Sequence, residues 1–193
     1  MPRAGLSTGS VVDAAVDLVD EQGWAALTLA AVAIRTGVAA PSLYKHVRSL
    51  DALQQKVSAR ATAELAQTLT RSVAGRSGEE ALRCLADAYR DYALAHPGRY
   101  PLTQRVPDPG DPEHVAAGEQ AVQAVFAALR GYGLEGDEAI HATRVARSAL
   151  HGFVSLEIDG GFALRQDVGQ SFERLVSALH VSLAAWNPAA RGR

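Results

Sequence analysis

The chain has 193 residues, 48% hydrophobic and 21% charged, with a formal net charge of −2 at pH 7. That size and apolar content suffice for a buried core and exclude a disordered chain, while the charge balance excludes polyanion binding by global basicity. One cysteine, Cys84, excludes an internal disulfide, and no apolar run reaches signal-peptide or membrane-span length, so a soluble cytoplasmic protein is expected.

Residues 1–9 read as a frayed arm that carries Arg3. Val11, Val12, Ala15, Val16 and Val19 then form an apolar stripe at helical spacing, with Ser10 expected as its cap and Gly23 as its stop. Thr28 is the expected N-cap of a second helix carrying Leu29, Val32 and Ala33, and Gly37 sits where that helix must end and the chain reverse. Pro41 suits the first turn of a third helix, with Leu43 and Val47 anchoring it from below. Ser49 is expected to cap a fourth helix, through Leu53, Val57, Ala61, Leu65 and Leu69, that ends near Val73 at the Gly75–Gly78 break.

Strand-like alternation is missing from the remainder. Helix is expected from Glu79 to Ala95, then a proline-punctuated connector over residues 97–112 with a short helix or turn near Tyr100–Arg105. Helix resumes at Glu113–Gly131 with Val115, Val122, Val125, Phe126 and Leu129 inward. Asp137 is the expected cap of a long helix to Ile158. The last helix, Val168–Trp186, repeats Phe172, Val176, Leu179, Leu183 and Trp186 at 4-3-4-3 spacing and stops at Asn187-Pro188. The expected fold is all-α, about nine helices, with a three-helix head over residues 1–52 and a larger helical body over 53–193.

The chemistry concentrates between Thr28 and Leu50. Cap, small residue, turn glycine, proline entry and paired anchors together describe a helix-turn-helix, which lays its second helix in the major groove of DNA. An ordinary helical hairpin is the competing reading. Locally the charge is favourable: Arg35, Lys45, Arg48, Lys56 and Arg60 stand against Asp51 alone. Lys45 and Ser42 are the candidates for base edges, Tyr44 for phosphate through its hydroxyl, and His46 for phosphate or for closing the hairpin. Enzyme chemistry finds no support. The histidines at 46, 96, 114, 141, 151 and 180 lack metal-ligand spacing, no phosphate loop or G-x-S-x-G occurs, and Cys84 lacks an obvious base. No metal and no cofactor are expected.

Ala14-Ala15, Gly23, Leu27-Thr28-Leu29, Ala33, Gly37-Val38 and, above all, Pro41-Ser42-Leu43-Tyr44-Lys45-His46-Val47 resemble the head of the tetracycline-repressor (TetR) family. His96-Pro97-Gly98 and Leu150-His151-Gly152-Phe153 look more weakly like the C-terminal type named after a Trp/His-Gly motif. The resemblance implies a homodimeric, DNA-binding transcription regulator, a repressor released from a palindromic operator when a small-molecule effector binds the body. By matching positions, Thr28 caps the second helix and touches phosphate, while Ala40, Pro41, Ser42, Tyr44, Lys45 and His46 face the groove or its walls. Two positions depart from the family: Ala30 and Leu50 stand where it usually has a basic residue and a lysine that meet phosphate. Modest affinity is therefore expected, or help from Arg35, Arg48 and the Arg3 arm. Tyr89, Tyr92, Tyr100, Phe126, Arg147 and His151 are the candidate effector contacts, each also readable as core. Arg147, in an apolar-rich segment, is expected to need a carboxylate from Glu157, Asp159 or a ligand. Ala142, Ala146, Ala149 and Gly152, with the stripe of the last helix, suggest a two-fold four-helix seam. The alternative is a helical small-molecule-binding protein whose head reads DNA weakly or no longer.

Overall fold

A computed structural model describes residues 6–186 of the chain, and among them there are eight α-helices, three short 3-10 turns and no strand. The arm residue Arg3 and the Asn187-Pro188 stop lie outside the described residues. The chain divides into two compact units: one combines the chain up to Glu64 with His96–Gly118, the other combines Leu65–Ala95 with the chain from Glu119 onward. That division differs from 1–52 and 53–193, because part of the connector packs into the head.

In the first unit, α1 (Thr8–Gln22) begins three residues earlier than expected. Ser7, not Ser10, is its N-cap, and Ser10 completes a capping box by returning its hydroxyl to the Ser7 backbone. Val11, Val12, Ala15, Val16, Leu18 and Val19 are buried along one face. The 3-10 turn Trp24–Ala26 leads to α2 (Leu29–Thr36), α3 (Ala40–Leu43) and α4 (Leu50–Val73), whose first turn is capped by Ser49 Oγ accepting from Ala52 N–H at 3.0 Å. Leu27, Val32, Ala33, Leu43, Val47, Leu53, Val57 and Ala61 join the α1 face in one core.

Leu102, 1% exposed, belongs to that same core although it comes from the connector. The short turn expected near Tyr100 forms as a 3-10 segment, Tyr100–Gln104, with Tyr100, Leu102 and Thr103 buried. The buried Ser58 hydroxyl donates to the Leu102 carbonyl at 2.7 Å. Arg99 bonds both Asp20 of α1 and Glu64 of α4. Gly98 lies so near α1 that a Cβ there would meet the Val19 carbonyl oxygen at 2.1 Å. His114, at the start of α6 (Pro112–Leu129), is wholly buried, its Nε2 3.3 Å from Thr62 Oγ1.

The second unit contains α5 (Gly78–Ala95), α7 (Gly136–Ile158) and α8 (Val168–Trp186), which pack on one another. The N-cap of α7 is Glu135, with Asp137 inside the first turn, so the expected cap is displaced by two residues. On α6 the buried positions are His114, Ala117, Ala124, Ala128 and Leu129; Val122 is exposed, and Val115, Val125 and Phe126 are half-buried. Small alanines, rather than the valines, face inward because they allow close helix approach. The α8 stripe Phe172, Val176, Leu179 and Leu183 is buried, with Trp186 half-buried. Cys84 is half-buried on α5. No described helix is long and apolar enough to cross a membrane.

Candidate nucleic-acid interface

The backbone between Thr28 and Ser49 is fixed by local chemistry at each step. Thr28 Oγ1 accepts from Ala31 N–H at 3.1 Å, satisfying a free donor at the start of α2. At the other end Gly37 takes the left-handed conformation, φ 69° and ψ 30°, which a side chain would resist. Its N–H reaches the Ile34 carbonyl at 3.1 Å and Val38 N–H reaches Ala33 at 3.0 Å, the two bonds of a Schellman ending.

α3 itself is a single turn of four residues, shorter than the sequence suggests. The coil continues through Leu43, whose carbonyl accepts from His46 N–H at 2.8 Å and Val47 N–H at 2.9 Å. Ser49 then begins capping α4, which leaves no room for a longer third helix. Leu43 is wholly buried and Val47 nearly so, and they hold the segment from beneath. Ala39, Pro41, Tyr44, Lys45 and Arg48 are exposed, while Ala40, Ser42 and His46 are half-buried. The His46 carbonyl also accepts from Thr8 Oγ1 at 3.3 Å, tying the segment to the start of α1.

The cations divide into two groups. Arg35 closes its guanidinium fork on Glu21 at 2.6 Å for both bonds, with Asp17 at 3.7 Å, and Glu21 and Arg35 each shift toward their charged form chiefly through that bond. It can reach a phosphate only by giving up that pair. Arg60 is 3.3 Å from Asp13, and Arg105 is 3.7 Å from Asp51 with its guanidinium 5.5 Å over the Trp24 ring. None of the ion pairs among the described residues uses Lys45, Arg48 or Lys56. Of the two departures, Ala30 is exposed, whereas Leu50 packs against the head core. A lysine there would have to leave that contact.

The candidate effector residues fall in both units. Tyr100 is buried in the first unit, whereas Tyr89 and Tyr92 on α5, Phe126 on α6, and Arg147 and His151 on α7 belong to the second. Arg147 is exposed on α7, so it does not carry the desolvation penalty anticipated for it. Its candidate partner Glu157 instead bonds Arg90, with Nε to Oε2 at 2.8 Å, and Arg90 also lies 5.0 Å over the Phe172 ring. Burial, and secondarily the nearby Arg147 charge, hold His151 below the ordinary histidine pKa. The sequence alone marks no packing role for Arg99, Leu102, Arg105 and His114. Only the isolated apolar Leu102 within a proline-rich stretch hinted at their packing.

Residues 11–57 match the family description "bacterial regulatory proteins, tetR family", and residues 82–179 match "Tetracyclin repressor-like, C-terminal domain". The chain belongs to the TetR family. Among relatives of this TetR-family regulator is an uncharacterized HTH-type transcriptional regulator of Mycobacterium tuberculosis, 44% identical over 81% of this chain and 72% of the relative. Another is the uncharacterized HTH-type transcriptional regulator YobS of Bacillus subtilis, 36% identical over 88% of each. The fold is shared with the Streptomyces coelicolor TetR family protein ActR, solved in complex with (S)-DNPA, at a TM-score of 0.69 and 19% identity over 94% of this chain and 98% of that one. The protein is thus a helix-turn-helix transcription regulator.

Proposed function

We propose that Thr28, Ala40, Pro41, Ser42, Tyr44, Lys45, His46 and Arg48 contact operator DNA, with Lys45 and Ser42 at base edges and Tyr44 at phosphate. The observation that carries this reading is the segregation around one turn of chain: Leu43 and Val47 are buried while Tyr44, 58% exposed, and Lys45 face solvent. Residues 1–52 then act as the reading head and 53–193 as the effector and dimerisation body. Arg35 is better read as a strut between α1 and α2 than as a phosphate ligand.

The regulator acts in the cytoplasm as a homodimer on a palindrome whose half-site centres lie about 34–36 Å apart, or somewhat further. The effector is a small molecule held by the second unit, where Tyr89, Tyr92, Phe126 and His151 are the candidate contacts, and no cofactor or catalytic step takes part. An effector that favours the DNA-incompetent state lowers operator affinity by its differential affinity for the two states, which makes the protein a repressor released by its ligand. Exposed α7 residues Val145, Gly152 and Leu156, with α8 residues Ala178, Val181 and Ala185, supply helical-spaced apolar faces for the two-fold seam. Ala142, Ala146 and the heavy α8 stripe are spent inside the protomer's own unit.

An electrophoretic shift of the full chain against the DNA upstream of its own coding region tests this. Binding at low salt, weakened by Tyr44→Ala and by Lys45→Ala, is the expected result. The second reading, a ligand-binding protein with weak DNA affinity, is favoured by Leu50, which packs in the head where the family usually presents a lysine. Absence of any shift at low salt would support it.

A further inference from the structure

We infer that this regulator recognises thymine in its operator by the C5-methyl group, through an apolar leading edge made of Ala39, Ala40 and Pro41. The inference rests on the DNA-binding reading above and adds which base that surface selects.

Side chains that read purines by paired hydrogen bonds are arginine or lysine on guanine and asparagine or glutamine on adenine. Residues 38–47 contain only one of these, Lys45, at the far end of the segment from Ala39. The nearest arginine before the segment, Arg35, has its fork closed on Glu21. What the segment offers first is apolar: Ala39 and Pro41 are exposed and Ala40 is half-exposed, ahead of Ser42 and the more distal Tyr44 and Lys45. The early residues of a recognition helix are those that contact base edges in this motif.

The edge is also free of two donors that a methyl group would strand. Pro41 has no N–H, and Ser42 N–H is satisfied by the Ala39 carbonyl at 2.8 Å. Short side chains let the backbone come close to the floor of the groove, and the thymine methyl is the one apolar group the major groove presents there. Arg48, exposed and outside the ion pairs among the described residues, provides complementary charge that holds a phosphate backbone against this face.

The test uses the full-length protein and an operator selected from a random duplex pool. Each thymine of the half-site is then replaced by deoxyuridine, which removes only the methyl. Burial of one methyl predicts about a fourfold rise in Kd per contacted thymine, and roughly 15-fold when both half-sites are changed. Ala39→Gly and Pro41→Ala, checked for an unchanged melting temperature, are expected to bind the deoxyuridine and thymine operators with nearly equal Kd. Two variants are used so that a looser turn in either one is recognised as such. The inference is overturned by a selected half-site without thymine under this segment, by indifference to deoxyuridine at every thymine, or by undiminished discrimination in both variants. Failure of the function itself is seen earlier, as a pool from which no duplex is retained.

Discussion

Lys45 and Arg35 carry the same charge within one small head and do different work. Lys45 is outside every ion pair among the described residues, whereas Arg35 is engaged by Glu21 and Asp17. Lys45→Ala is therefore expected to reduce the slope of log K against log salt by about 1 while leaving the melting temperature unchanged. Arg35→Ala is expected to do the reverse: a lower melting temperature at low salt, a loss that shrinks as salt is raised, and a salt slope for DNA close to that of the parent. Fluorescence anisotropy on labelled operator and thermal melts at two salt concentrations check the pair. Gly98 belongs to the same scale. A methyl there would stand 2.1 Å from the Val19 carbonyl oxygen, so Gly98→Ala must push the connector off α1. The expected cost is about 1–3 kcal/mol in urea unfolding, the usual range for overpacking.

Among the elements, the start of α6 carries a buried titratable group. His114 is wholly buried with Nε2 beside Thr62 and Ser58, while no partner for Nδ1 is found among the described residues. Burial, helped by Arg105 and opposed by Asp111 and Asp108, pushes its pKa below the ordinary 6.5. As the pH falls through 6.5 the unfolded chain takes up a proton that the native chain refuses, so stability drops until His114 itself protonates. Urea unfolding at pH 7.5 and 5.5 is expected to show that loss, and His114→Gln to remove much of it. The part left over belongs to His151, which shifts the same way. These contacts also explain what the sequence could and could not reveal. Thr28, Gly37, Leu43, Val47 and Ser49 were legible because capping, left-handed turns and helical spacing act within a few residues. The one-turn length of α3 was not legible, since it is imposed by the cap of the next helix. Leu102, Arg99 and His114 were illegible for another reason: their partners, Ser58, Asp20, Glu64 and Thr62, lie 35 to 79 residues away in sequence. The 4-3-4-3 spacing on α8 marks an apolar stripe, but periodicity alone does not say whether a stripe meets its own unit or a second copy.

At the scale of the molecule, apolar surface remains on α7 and α8 after the protomer's own packing is complete. Leu156 is 52% and Val181 66% exposed. Leu156→Asp with Val181→Asp is expected to yield a folded monomer by sedimentation or light scattering, with operator affinity reduced at least tenfold because each half-site is then held alone. A parent protein that is monomeric at micromolar concentration would contradict this. The connector's place in the first unit has a practical corollary. Ser58 and the core around Leu102 are completed only when residues 96–118 arrive, long after α4 has been made. A fragment cut at the end of α4 would leave a hydroxyl without its acceptor and a hollow where a leucine belongs. Sensor engineers who wish to graft this head onto a foreign body must therefore transplant two pieces of sequence, since a single crossover delivers half a foundation.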